Sequence, residues 1–177
     1  MTDPHENVFE VRPIGYVRSE HREPVGVPIN AAFAKGVTAR IEILPEYAPG
    51  LQDIEGFSHL HLLVFLHRSE GYRLITTPFA DDQLRGLFTT RSPRRPNPIG
   101  LSVVRLIKVE GNILHVEEID FIDGTPVLDI KPFHPQADHR TQDVRVGWMT
   151  DKFAVDKKTG EVIYRDELVP RQSRKKN

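Results

Sequence analysis

The chain has 177 residues, with 24 Lys and Arg against 25 Asp and Glu, for a net charge of -1. That length suits one domain with a real core, and the near-neutral balance singles out neither nucleic acid nor membrane as a partner. The absence of cysteine excludes disulfides, thiolate nucleophiles, cysteine-ligated zinc and iron–sulfur clusters.

Residues 1–7 are polar and expected to fray. No apolar run follows a basic start, and none reaches spanning length, so the expectation is a cytoplasmic chain with no membrane partner. Residues 8–18 read as a first strand, rich in β-formers and distorted by Pro13 and Gly15. Pro24, Gly26 and Pro28 mark 21–34 as a loop. Residues 37–44 alternate apolar and polar, the pattern of a half-buried strand, and 45–51 suit a short helical turn. Residues 57–66 are the most apolar segment and long enough for a buried strand.

Residues 84–89 read as a further short strand. Residues 101–110 alternate in part, and Gly111-Asn112 turns them into 113–122, a hairpin. Asp123-Gly124-Thr125-Pro126 is a second turn leading into a strand over 127–130, and Pro132 and Pro135 are expected to end regular structure. Residues 155–164 read as a hairpin around Lys158-Thr159-Gly160, and 171–177 as a basic disordered tail. Helical periodicity is weak throughout, and no glycine-rich strand-to-helix turn supports a Rossmann fold. The expected fold is all-β: a small single-sheet barrel, closed or nearly closed, because closure removes exposed edges.

Arg91-Ser92-Pro93-Arg94-Arg95-Pro96-Asn97-Pro98-Ile99-Gly100 is the densest chemical signal. Its prolines forbid a helix or a central strand. A stiff loop that fixes guanidinium groups suits carboxylate or phosphate recognition, although a solvated basic turn would look the same. From 83 to 109 there is no acid, while Glu117, Glu118, Asp120, Asp123 and Asp129 follow closely. That asymmetry suggests a basic face for an anionic ligand beside an acidic patch, with ordinary cross-strand pairing as the competing reading. Asn97 beside Pro98 could orient an exocyclic amine toward an electrophile, or simply cap a turn. His59, His61 and His67 share strand parity and could gather a metal, though their spacing matches no zinc signature and the expectation is no metal. Ser58, Ser92 and Ser102 sit in no nucleophile elbow.

Four blocks in a fixed order carry a resemblance. They are Ile14-Gly15 with Arg18-Ser19; Phe57-Ser58-His59-Leu60 with His67; Thr90-Arg91-Ser92 with the run from Arg95 to Ser102; and Asp120 with the run from Asp123 to Pro132. Over residues 8–140 the chain resembles the TsaA-like (YaeB, TrmO) family. The resemblance implies a dimeric β-barrel that binds S-adenosylmethionine without a Rossmann fold. It also implies methyl transfer to the N6 amine of a threonylcarbamoyl-modified adenosine beside the tRNA anticodon. By position, the donor contacts fall on Pro28, Ile29, Asn30, His67, Arg68, Arg91, Leu101, Asp120, Phe121, Ile122 and Asp123.

In this reading Arg91 would hold the donor's carboxylate, and Asp120 or Asp123 would neutralise its cationic groups. Asn97 and Arg95 are the candidate catalytic residues, with Arg91, Arg94 and Arg95 forming a basic surface for RNA phosphates. The family usually has Pro-Arg-Gln where this chain has Pro28-Ile29-Asn30, glutamine at Arg68, and tryptophan at His61. Residues 141–170 are expected to form an extension packed on the barrel or on a partner subunit. A barrel that binds S-adenosylmethionine or RNA without transferring a methyl group is the alternative.

Overall fold

The computed structural model describes residues 8–140, 142–150, 152–156, 158 and 162–164. The expected frayed start, the basic tail and the Thr159-Gly160 turn lie outside the described residues. The strands are β1 (Gly15–Arg18), β2 (Thr38–Ile43), β3 (His59–Phe65), β4 (Ile75–Thr76), β5 (Arg85–Gly86), β6 (Ile99–Glu110), β7 (Ile113–Glu117), β8 (Pro126–Pro132), β9 (Phe153–Val155) and β10 (Val162–Tyr164). One short helix, α1, spans Pro135–Asp138.

Six strands close into an antiparallel barrel in the order β1-β2-β7-β6-β3-β8, with β8 returning to β1. The period-two pattern supplies its core. Ala39, Ile41 and Ile43 of β2, Leu60, Leu62 and Val64 of β3, and Leu114 and Val116 of β7 all point inward and are buried. β3 is thus buried on one face only. Its His59, His61 and Leu63 line the half-buried outer side, as an antiparallel sheet with one solvated face requires.

Several segments depart from the sequence pattern. β1 begins only at Gly15, and Val8, Phe9 and Val11 stay exposed. Pro13 offers no backbone donor, and the last ladder bonds before β1 belong to Ile14, with Val127 and Leu44. Over 84–89 only Arg85 and Gly86 pair, with β4; Leu87–Thr89 is a 3-10 turn, closed by the Thr90 N–H on the Leu87 carbonyl. β7 stops at Glu117 because Glu118 takes a φ of 66°, which turns Ile119 into the core. Pro135 opens α1 rather than ending structure, since a proline at the first helical position loses no needed donor.

The topology fixes what lies where. The β1–β2, β3–β6 and β7–β8 connections all leave from one end of the barrel, here called the mouth. The β6–β7 hairpin, at Gly111 and Asn112, and the β2–β3 connection close the other end. The segment after the barrel returns toward the mouth. The Trp148 indole N–H donates to the Thr89 carbonyl at 2.9 Å, Lys152 reaches the buried Asp81 at 3.4 Å, and the Phe153 and Phe33 rings stack 6.3 Å apart.

Gly100 sits where β6 crosses the core. A Cβ there would stand 2.8 Å from Val64 Cγ2, 3.0 Å from Leu66 Cδ2 and 3.1 Å from Phe121 Cε1. Gly100→Ala is therefore expected to destabilise the barrel by roughly 1–3 kcal/mol through overpacking. Thermal unfolding of the variant checks this, and an unchanged melting temperature would mean that this corner is loosely packed.

Candidate functional site

The mouth gathers the chemistry that the sequence scatters. Pro28, Ile29 and Asn30 lie on the β1–β2 connection. His67, Arg68, Arg91, Arg95 and Asn97 lie on β3–β6, and Asp120 to Asp123 on β7–β8. Leu101 is the third residue of β6.

Asp120 is the centre of this arrangement. Its carboxylate accepts a hydrogen bond from the Ser102 hydroxyl at 2.7 Å, and the nearby main-chain N–H groups of Asp120 and Ala31 and the positive field of Arg91 favour its charged form. Burial nevertheless dominates and pushes its pKa up to about 6, with the Ser102 bond the largest opposing influence. The positive charge present therefore does not offset the burial of this carboxyl.

Asp123 has a different task. Its Oδ1 accepts from the Ser19 N–H at 3.2 Å, and its own N–H donates to the His21 carbonyl at 2.7 Å. The Ser19 hydroxyl donates to the Phe121 carbonyl at 3.1 Å. Asp123 thus ties the β1–β2 connection to the β7–β8 connection. Phe121 is buried in the core, and the Ile122 carbonyl accepts from the Thr125 hydroxyl, so these two residues brace the rim.

The Pro28–Asn30 segment leads into a 3-10 turn over Ala31–Phe33. The Asn30 side chain caps that turn by accepting from the Ala32 N–H at 3.0 Å. This capping bond fixes the turn that offers its Ala31 N–H to Asp120. Ile29 remains exposed. Arg68 pairs with Glu23 at 2.9 Å and donates to the Arg22 carbonyl at 3.0 Å, fastening the β1–β2 connection to the end of β3. Burial, and then Arg68, lower the pKa of His67, favouring its neutral imidazole.

The Arg/Pro loop divides its roles. Arg95 folds back, donating to the Thr90 carbonyl at 3.0 Å and lying over the Phe88 ring. It braces the loop rather than projecting from it. The Asn97 main-chain carbonyl accepts from Ile99 N–H, and the Pro98 carbonyl from Leu66 N–H. The exposed Asn97 side-chain amide makes no hydrogen bond among the described residues. These two carbonyls are thus already engaged, and the Asn97 side-chain oxygen is the group left to meet a substrate.

The start of β6 adds a surface. β6 pairs with β3 from Ile99 onward, but with β7 only from Arg105. Residues 99–104 therefore present one strand edge toward the mouth with no partner from β7, beside the Ala31–Phe33 turn. Their main-chain groups can meet the polar edge of a planar ring, and Leu101 lies among them.

Two residues were not assigned to this site from sequence. Ser102 carried a signal, because it is a polar residue at an inward position between Gly100 and Val104. The Ala31 N–H carried none, since any residue type could supply it. The histidines separate: His59 meets Ser58 and Phe133, His61 meets Asp138 at 3.2 Å, and His67 lies past the strand end. Among the described residues, no three His, Asp or Glu side chains converge as metal ligands.

Against known proteins, residues 16–139 match the model of the tRNA-methyltransferase O N-terminal domain. A probable S-adenosyl-L-methionine-binding protein of Pyrococcus abyssi is 48% identical over 138 residues, covering 78% of this chain and 74% of that one. The tRNA (adenine(37)-N6)-methyltransferase of Escherichia coli is 36% identical over 140 residues, covering 73% of this chain and 60% of the enzyme. The crystal structure of TrmO from Pseudomonas aeruginosa aligns with a TM-score of 0.67 at 38% identity, over 80% of this chain and 62% of that one. The chain thus spans about three fifths of the length of these last two proteins.

A carboxyl whose pKa is raised on folding favours the native state while protonated and loses that contribution as pH rises through about 6. Asp120→Asn is expected to remove this dependence. Its stability relative to the parent should rise between pH 4 and pH 7, by on the order of 3 kcal/mol at most. Denaturant titrations across that range check the sign, and parallel pH profiles would show that Asp120 is not perturbed.

Proposed function

The chain belongs to the family of the tRNA-methyltransferase O N-terminal domain, and from that membership we propose that it is an S-adenosylmethionine-dependent methyltransferase acting on tRNA. The target is the exocyclic N6 amine of an adenosine beside the anticodon, carrying a threonylcarbamoyl group. The observation that supports this reading is the under-compensated Asp120 carboxyl facing Arg91 at the mouth.

That pair fits a methionine-derived donor, which carries a carboxylate, an ammonium and a sulfonium together. Arg91 would hold the carboxylate, and Asp120 would face the cationic groups. The open edge of β6 and the exposed Ile29 would bound the adenine. When bound, S-adenosylmethionine supplies an electrophilic methyl group on sulfur. The chain's own contribution is placement: the Asn97 side-chain oxygen accepts from the target amine and turns its lone pair toward the donor pocket. Arg95 holds the Asn97 loop to the Thr90 carbonyl, and Arg94 offers an exposed charge for phosphate.

Phe65, Phe88, Ile99 and Leu101 leave a broad apolar surface beside the mouth. In this reading a second copy of the chain covers it and completes the site. A tRNA substrate would place the protein in the cytoplasm.

Labelled-methyl transfer to total tRNA tests the reading, together with titration of the donor. Asn97→Ala is expected to slow transfer by on the order of 10- to 100-fold while leaving donor affinity within about twofold. Unchanged turnover would remove Asn97 from the mechanism. Saturable donor binding with no label entering tRNA would instead favour a binding module.

A further inference from the structure

The outer face of the barrel carries a row of basic residues that strand register places side by side. Arg18 of β1 lies opposite Arg40 of β2, Arg40 opposite His115 of β7, and His115 opposite Lys108 of β6. Three cations and a histidine thus cross four adjacent strands. Like charges directly opposite each other destabilise a sheet, so the arrangement works against local stability. Lys108 joins the row because the β6–β7 ladder slips between Leu106 and Lys108. A bulge of this kind re-aims a side chain.

Carboxylates hold every member of the row but Arg40. Glu42 pairs with Arg18 at 2.7 Å, and Glu110 reaches both Lys108 at 2.6 Å and His115 at 2.8 Å. Arg40 is exposed and, among the described residues, makes no ion pair. The row lines an open groove of about 620 Å³, where Arg22 adds a further cation and, among the described residues, Glu20 and Asp123 are the lining carboxylates. Asp123 already accepts from the Ser19 N–H. The groove runs up to Ser19 and Asp123, the residues that tie the rim of the mouth.

Strands lie about 4.8 Å apart, so the row is about 14 Å long. That length meets several phosphates of one nucleic-acid strand. We propose that the Arg18–Arg40–His115–Lys108 row is a track for the phosphodiester backbone of the RNA whose adenosine enters the mouth. The identity of that RNA as substrate rests on the function proposed above. The groove's excess of positive charge favours an anionic partner, and its continuity with the rim at Ser19 and Asp123 would lead a bound strand to the mouth.

The test is binding of fluorescently labelled tRNA between 50 and 200 mM salt (about the range over which counterion release is read), by the parent, Arg40→Gln, Lys108→Gln and the double variant. Each single substitution is expected to weaken binding several-fold and to reduce the slope of log affinity against log salt by roughly 0.7–0.9. Donor affinity should match the parent, and the melting temperature should change little, since both side chains are exposed and the Lys108–Glu110 pair lies at the surface. Parental slopes in both single variants, or KM values for tRNA equal to the parent's in a protein that transfers methyl groups, would overturn the track alone. Binding that depends on the row, in a protein that transfers no methyl group, would support the track and overturn the methyltransferase reading. A parent protein that binds no tRNA would overturn both.

Discussion

Closure of the barrel is the constraint on which the rest depends. β8 pairs with β3 along most of its length and returns to β1 through Gly15 and Tyr16. Once that seam is made, all strand alternation is committed, since a slip of one residue would turn every inward side chain outward. The seam also decides where the long connections go. Three of them, each carrying part of the site, must leave from the same end. Beside the seam, Gly15 permits the tight β1–β2 pairing, because any Cβ there would lie 2.5 Å from the Glu42 carbonyl oxygen. The sheet can come that close only where no side chain intervenes.

The mouth is held by polar staples rather than by core packing. Ser19, Asp123, Asn30, Arg68 and Arg95 each tie one connection to another or close a turn within it. Their bonds are local and specific, so the rim is fixed without being filled. This leaves Asp120 partly buried, bonded to a hydroxyl and an amide, and short of positive charge. A carboxyl kept so far above its ordinary range opposes folding at neutral pH, a cost that a structural residue has no reason to carry. The row around Arg40 is a second place where the local rule is broken, this time on the outer surface.

Much of the barrel was legible in sequence because alternation, turn residues and antiparallel pairing agree. Residues 38–43 alternate cleanly, the apolar run at 59–65 is a strand, Gly111 takes the positive φ that its turn requires, and the Pro45–Leu51 turn begins at a proline. Residues 8–14 misled because β-formers were present without a donor at Pro13 or a strand to pair with. Residues 84–89 misled because pairing with two residues of β4 cannot sustain a longer strand. Within the candidate site, residue types pointed to loops that the topology gathers at one end, but not to the bonds their side chains make. Asp123, Asn30 and Arg68 make bonds that organise the rim, and only coordinates could separate them from Asp120 and Arg91. Arg95 looked like a projecting cation and proves to be a brace. The basic row could not be read at all, since it depends on register across four strands and on one bulge.

The most direct test of this account is calorimetric titration of the protein with S-adenosylmethionine near pH 6, repeated in two buffers of different ionisation enthalpy. If Asp120 is the anion awaiting a cationic ligand, binding is saturable and releases up to about half a proton at that pH, with the release vanishing toward pH 8. Saturable binding with no proton exchange at pH 6 would place the donor away from Asp120. No binding would contradict the account at its centre.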